Sequence, residues 1–195
     1  MSRDSSETKS RILNATWKLL ESGDNAVRMS DIAKAVGISR QALYLHYPNR
    51  ADLLVATTKH IDTVKNIDAR LERSRSARTG GERLDAFIEA WGGYIPEIHG
   101  ISVALRAMRH TDREAAEAWD GRMQAVRHGC AAAVRTIAGE GRLPPGLSPE
   151  RATDLLWMLL SVENWERLVR DCGWSQADYE KEIKALARAA LVVTP

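Results

Sequence analysis

The stretch Met29 to Tyr47 (MSDIAKAVGISRQALYLHY) constrains the fold more than any other part of the chain. Ile32, Ala33 and Val36 recur at helical spacing and stop at Gly37. A glycine there can take the left-handed backbone that a tight turn needs. Ile38 then packs inward. Ser39 offers its hydroxyl oxygen to the free amide hydrogens of a second helix. That helix ends at Tyr47, because Pro48 has no amide hydrogen and disfavours helical geometry before it. Ile32, Ala33, Val36, Ile38 and Leu43 form a small core that sets the crossing angle. Ala33 must be small where the two helices approach. The unit is a helix-turn-helix.

The same period runs along the rest of the chain, so the fold class is all-α, with about nine helices and no convincing strand. Ile12, Ala15, Leu19 and Leu20 mark a first helix, capped by Ser5 or Ser6 and ended by Gly23. Asn49 caps a fourth helix, with Asp52 bonding back, and that helix runs through Leu53, Leu54, Ile61 and Val64 towards Arg73. Arg73 to Gly81 (RSRSARTGG) reads as a linker. Leu84, Phe87, Ile88, Trp91 and Ile95 form the next stripe, with a break marked by Pro96 and Gly100. Ile101 to His110 is another short helix. Thr111 and Glu114 read as a capping box for a long helix striped by Trp119, Met123, Val126, Cys130, Val134 and Ile137. A loop spans Gly139 to Gly146. Ser148, Pro149 and Glu150 open a helix that continues through Leu155, Leu156, Leu159 and Leu160 to Leu168 and Val169, closed by Gly173. Ser175 and Asp178 open the last helix.

Composition narrows the class. With 44% hydrophobic and 28% charged residues the chain can bury a core without staples. Its two cysteines, Cys130 and Cys172, form no disulfide framework and no C-x-x-C pair. No apolar run approaches the ~20 residues of a membrane span, and Met1 to Ser10 has no signal-peptide core. A cytoplasmic protein with no membrane partner is expected. Residues 1–60 carry nine Lys/Arg against six Asp/Glu, while the remainder carries nineteen against twenty. The basic surplus therefore sits at the end that holds the helix-turn-helix, as a nucleic-acid footprint would.

The second helix of that unit carries the chemistry. Arg40 and Gln41 stand at its start, where a recognition helix meets base edges in the major groove. Arginine forks onto guanine, glutamine onto adenine, and the Ala42 methyl suits thymine. Tyr44 and His46 can reach phosphates along the groove wall. Arg50 opens the following helix, where its charge and the free amide hydrogens both favour phosphate. A helical core unit alone would explain the apolar pattern. It does not explain why Arg, Gln, Tyr, His and Arg gather on one unit while acids stay out of residues 32–51.

The segment IAKAVGISRQALYLHYPNRADLL resembles the DNA-binding domain of the tetracycline-repressor-like (TetR) family. The shared features are Ile32-Ala33, Gly37-Ile38-Ser39, Leu43-Tyr44, His46-Tyr47, basic Arg50 and Leu53-Leu54. The upstream ILNATWKLLESG is similar to the family's first helix, so the match covers roughly residues 8–60. Arg50 stands where the family usually has Lys. The start of the second helix usually offers Thr or Ser at the place of Arg28, so a phosphate contact there falls to Arg28 or Ser30. The resemblance implies a DNA-contact set of Arg28, Ser30, Ser39, Arg40, Gln41, Ala42, Tyr44, His46 and Arg50. It implies a DNA-binding domain over residues 1–54, a linking helix to about 73, and a regulatory and dimerisation domain over 80–195. It further implies a homodimer on a pseudo-palindromic double-stranded operator. The last two long helices would pair with their copies through Leu155, Leu159, Val162, Leu168, Tyr179, Ile183, Leu186 and Ala190. A repressor released by a small effector is the first expectation; activation, or regulation without an effector, stays open.

Six tryptophans against one phenylalanine is unusual, and five of the six follow the linker. Trp91, Tyr94, Met108, Trp119, Met123 and Trp157 can line an apolar effector cavity, with His128 or Cys130 as a polar handle. Equally, such stripes build ordinary cores. An enzyme is the main rival. His110 and Glu114 lie four apart with Asp112 nearby, but capping explains Glu114 better, and no phosphate loop, zinc spacing or nucleophile elbow appears. A helical adaptor is the third reading; it has no reason to keep Arg40, Gln41, Tyr44 and Arg50 together. No metal, cofactor or catalytic residue is expected.

Overall fold

Local signals set most of the helix boundaries. In the computed structural model, residues 3–22 and 27–193 are described, and among them every regular element is helical. The order is α1 (Arg3–Glu21), α2 (Met29–Val36), α3 (Arg40–His46), α4 (Arg50–Val64), α5 (Ile67–Arg75), α6 (Gly80–Gly92), α7 (Ile95–Met108), α8 (Arg113–Gly139), α9 (Pro149–Leu159), α10 (Val162–Trp165) and α11 (Gln176–Leu191). A π-helical turn, Glu166–Asp171, follows α10. The described residues thus hold eleven α-helices where the period suggested about nine. None of them is long and apolar enough to cross a membrane.

The chain forms two compact units, residues 1–65 with 98–122 and residues 66–97 with 123–195. In the first, α1 packs on α2 and α4, and α2 on α3. Ile12, Leu20, Ile32, Leu43, Leu53, Leu54 and Ile61 are its buried centre. The α1 stripe includes Thr16, whose buried hydroxyl donates to the Ile12 carbonyl at 2.9 Å. In the second unit α6 packs on α5 and α11, and α11 on α9. Leu84, Phe87, Ile88, Val134, Ile137, Leu156, Tyr179 and Ile183 fill it.

Several boundaries depart from the sequence reading. Ser5 and Ser6 lie inside α1, which begins at Arg3, so neither caps it. Gly23 lies outside the described residues. The fourth helix stops at Val64, because Asn66 takes the left-handed conformation (φ 56°, ψ 43°) and α5 starts after it. Asparagine is one of the few side chains that tolerate this. Arg73 to Gly81 is not a linker. Ser74 is buried and donates to the Arg83 carbonyl at 3.0 Å. Gly80 lies so close to Ile137 that a β-carbon would come within 2.7 Å of its side chain. That glycine serves close packing rather than flexibility.

Pro96 and Gly100 fall within α7, Pro96 in the first turn where its missing amide hydrogen costs nothing. The break precedes it, at Gly93 and Tyr94. Asp112, not Thr111, caps α8, its carboxylate accepting from the Ala115 amide at 3.0 Å. Thr111 donates to the Met108 carbonyl instead. The helix opened by Ser148 ends at Leu159. Ser161 then caps α10 by accepting from the Asn164 amide at 3.2 Å.

Candidate nucleic-acid interface

The helix-turn-helix is held at each joint by a separate device. Gly37 closes α2 at φ 76°, ψ 33° and donates its amide to the Ala33 and Lys34 carbonyls. Arg11 of α1 donates from Nη2 to the Val36 carbonyl at 2.8 Å, which satisfies an acceptor left over at the end of α2. Ser39 caps α3, accepting from the Ala42 amide at 3.0 Å. Asn49 caps α4, accepting from the Asp52 amide at 2.8 Å. Leu43 is the one fully buried side chain of α3. Tyr47 closes α3 and is buried; burial raises its phenol pKa. With ends and inner face fixed, the rest of α3 is displayed. Arg40, Gln41, Tyr44 and Leu45 are exposed, and Ala42 and His46 are half-buried.

At the start of α2, the two residues expected for the phosphate contact have different surroundings. Asp31 accepts from the Arg28 amide at 3.2 Å and from the Ser30 hydroxyl at 3.4 Å. A serine has one hydroxyl hydrogen, and that of Ser30 is directed at a carboxylate. The Arg28 side chain is exposed.

Arg50 is not on this surface. Its side chain is 14% exposed and turned inward. Nε donates to the Val27 carbonyl at 2.7 Å, just ahead of α2. Nη1 is bonded to the Asp112 carboxylate and lies 3.5 Å from that of Glu114. Nη2 lies 3.6 Å from the Met108 sulfur. One guanidinium therefore ties the approach to α2, the start of α4 and the corner between α7 and α8. The expected phosphate contact is replaced by an internal clamp, because two carboxylates and a carbonyl already use the fork. Nothing local in sequence links Asp112, Glu114 or Met108 to Arg50, since they lie 58 to 64 positions away. Glu114 is an ion-pair partner, and among the described residues no cluster of three or more His, Cys, Asp or Glu could hold a metal ion.

The residues expected to line an effector cavity divide between the units, Met108 and Trp119 in the first and Trp91, Tyr94, Met123 and Trp157 in the second. Within the second, Trp91 is buried and donates its indole N–H to the Leu160 carbonyl at 2.9 Å. It meets Tyr94 edge to face at 6.0 Å. These two are core groups. Trp157 is half-buried with the Arg127 guanidinium 6.0 Å above its ring. Cys130 is a poor polar handle, since burial pushes its thiol up to about 12; His128 is exposed.

The expected dimer residues also divide. Val162, Tyr179 and Ile183 are buried in the subunit's own core and leave no surface for a second copy. Leu155, Leu186 and Ala190 are exposed, and Leu159 and Leu168 are half-buried. Met158, absent from the expected set, is exposed on α9 beside Leu155 and Leu159. An apolar stripe read from sequence does not reveal which chain covers it.

Comparison with known proteins agrees with this geometry. Residues 12–57 match the family described as bacterial regulatory proteins, tetR family. The HTH-type transcriptional regulator EthR of Mycobacterium tuberculosis is 29% identical over 154 residues, covering 74% of this chain and 68% of EthR. NalD, described as the secondary repressor of the MexAB-OprM multidrug efflux pump in Pseudomonas aeruginosa, superposes with a TM-score of 0.72 at 24% identity, covering 98% of each chain. The transcriptional regulator FadR from Bacillus subtilis, solved with stearoyl-CoA, gives a TM-score of 0.73 at 17% identity over 92% of this chain and 97% of its own. The recognition unit, the all-helical fold and these relatives agree: residues 12–57 match the tetR family of bacterial regulatory proteins, and the chain as a whole resembles DNA-binding transcription regulators rather than enzymes.

Proposed function

We propose that this regulator is a repressor, that it binds a pseudo-palindromic operator as a homodimer, and that a small apolar effector releases it. One observation carries the reading: Arg40, Gln41 and Tyr44 are displayed together on a helix whose two ends and inner face are fixed. Arg40 and Gln41 read bases, and Tyr44 and His46 reach phosphates. Arg28 supplies the phosphate contact at the start of α2, because the Ser30 hydroxyl is directed at Asp31. Arg50 is a positioning residue. The exposed apolar groups of α9 and α11, namely Leu155, Met158 and Leu186, with half-buried Leu159, supply the surface for the second copy. NalD is described as a repressor, and FadR was solved with stearoyl-CoA. Both likenesses favour repression and an apolar effector here.

The test is selection of duplex DNA from a randomised pool by the full chain, with sedimentation of the free and bound protein. Two inverted half-sites and a dimer are the expected outcome. Selection of a single unrepeated site by a monomer would overturn the homodimer. An apolar compound that raises the melting temperature should also lower operator affinity. Unchanged affinity at saturation removes that compound as the effector, because a ligand shifts a conformational equilibrium only by its differential affinity.

A further inference from the structure

Leu45 has no place in the reading so far, yet its side chain is 83% exposed. Among the described residues, the next most exposed large hydrophobic, Val64, stands at 54%. A single exposed leucine on an ordinary surface needs no explanation. This one sits in the seven-residue recognition helix. Gln41, Tyr44 and Leu45 occupy positions i, i+3 and i+4, so they share one helical face. All three are exposed, and the inner side of the helix is already supplied by Leu43. Arg40 on the same helix, Lys34 on α2 and Arg28 at the N-cap of α2 are exposed as well. A polyanion is therefore the partner that this charge pattern admits.

Within the major groove the apolar feature is the 5-methyl group of thymine, the one base-edge group that hydrogen bonds cannot read. We infer that Leu45 is a specificity-determining residue that packs on a thymine methyl in each half-site, next to the base read by Gln41. The inference rests on the proposed reading of α3 as the base-reading helix and adds a base identity to it. Leu45 makes no contribution to the core, so its removal leaves the fold intact and isolates the contact. Loss of one buried methyl from such a contact weakens binding about fourfold.

The experiment takes the operator selected by the full chain and replaces each thymine in turn by deoxyuridine, which removes the methyl and nothing else. Affinities are measured for the wild type and for Leu45→Ala. The wild type should lose about fourfold at one thymine position per half-site. Leu45→Ala should bind the unmodified operator more weakly and show no further loss at that position. Equal losses for both proteins at every thymine would overturn the assignment and give the methyl to another group, Ala42 first. Insensitivity of the wild type to every replacement would overturn it as well. If the wild type selects no sequence at all, the reading of α3 fails first and the inference falls with it.

Discussion

Helices α3 and α4 begin in the same way, Ser39 then Arg40 and Asn49 then Arg50. Each cap side chain accepts from the amide three positions on. Each places an arginine at the first helical position. The arginines end differently. Arg40 is exposed at the start of the recognition helix. Arg50 is drawn inward to the Val27 carbonyl, Asp112 and Glu114. The difference comes from what the fold brings to each, since the partners of Arg50 lie 23 to 64 positions away. A basic residue at a helix start is thus a surface contact or a structural clamp according to partners far away in sequence.

Removing each arginine should therefore do different things, and the larger effect falls on Arg50. Arg50→Ala leaves two part-buried carboxylates without their cation and the Val27 carbonyl without its donor. The unfolding free energy should drop by about 2–3 kcal/mol, read by urea denaturation. Operator affinity should fall too, through misplacement of the helix-turn-helix. The dependence of log affinity on log salt should keep its slope, because no phosphate contact is lost. A slope smaller by about one would return Arg50 to the DNA surface.

Arg40→Ala should invert that pattern. Urea stability should stay within about 0.5 kcal/mol of the parent, as for other exposed positions. Base preference at one position per half-site should relax, by about 1–3 kcal/mol. Binding to operators mutated at each position measures this. An unaltered preference profile would mean that Arg40, despite its exposure, reads nothing.

The contrast also marks how far sequence carries. The turn at Gly37, the caps Ser39, Asn49, Ser148 and Ser175, and the apolar face of α2 are encoded within a few residues, and they stand where the pattern puts them. The break at Asn66 is not encoded that way, because a lone left-handed asparagine leaves the helical period almost undisturbed. Thr111 and Asp112 are both plausible caps on chemistry, and only the backbone path selects Asp112. Tyr179 and Leu186 share one amphipathic helix, yet one is core and the other exposed. At the candidate site, Arg40, Gln41 and Tyr44 were legible because they are outward on a local unit. The clamp on Arg50 was not, since its partners lie 23 to 64 residues away.

Ser39→Ala tests the local half of the comparison. The cap is worth about 1 kcal/mol, so stability should fall by that amount. Affinity should fall for every operator alike, because α3 frays at the end that carries Arg40 and Gln41. A change in base preference instead of a uniform loss would show that Ser39 itself touches a base.

The smallest effect is expected at the start of α2. Arg28→Ala should weaken binding to all duplexes by a similar factor and lower the salt slope by about one, with urea stability unchanged. Ser30→Ala should leave the slope alone, because its hydroxyl hydrogen is directed at Asp31. The pair separates charge from hydrogen bonding at one point on the backbone. Equal slopes for both variants and the parent would mean that neither residue meets a phosphate, and the electrostatic footprint of this unit would then rest on its other exposed cations, Lys34 and Arg40 among them.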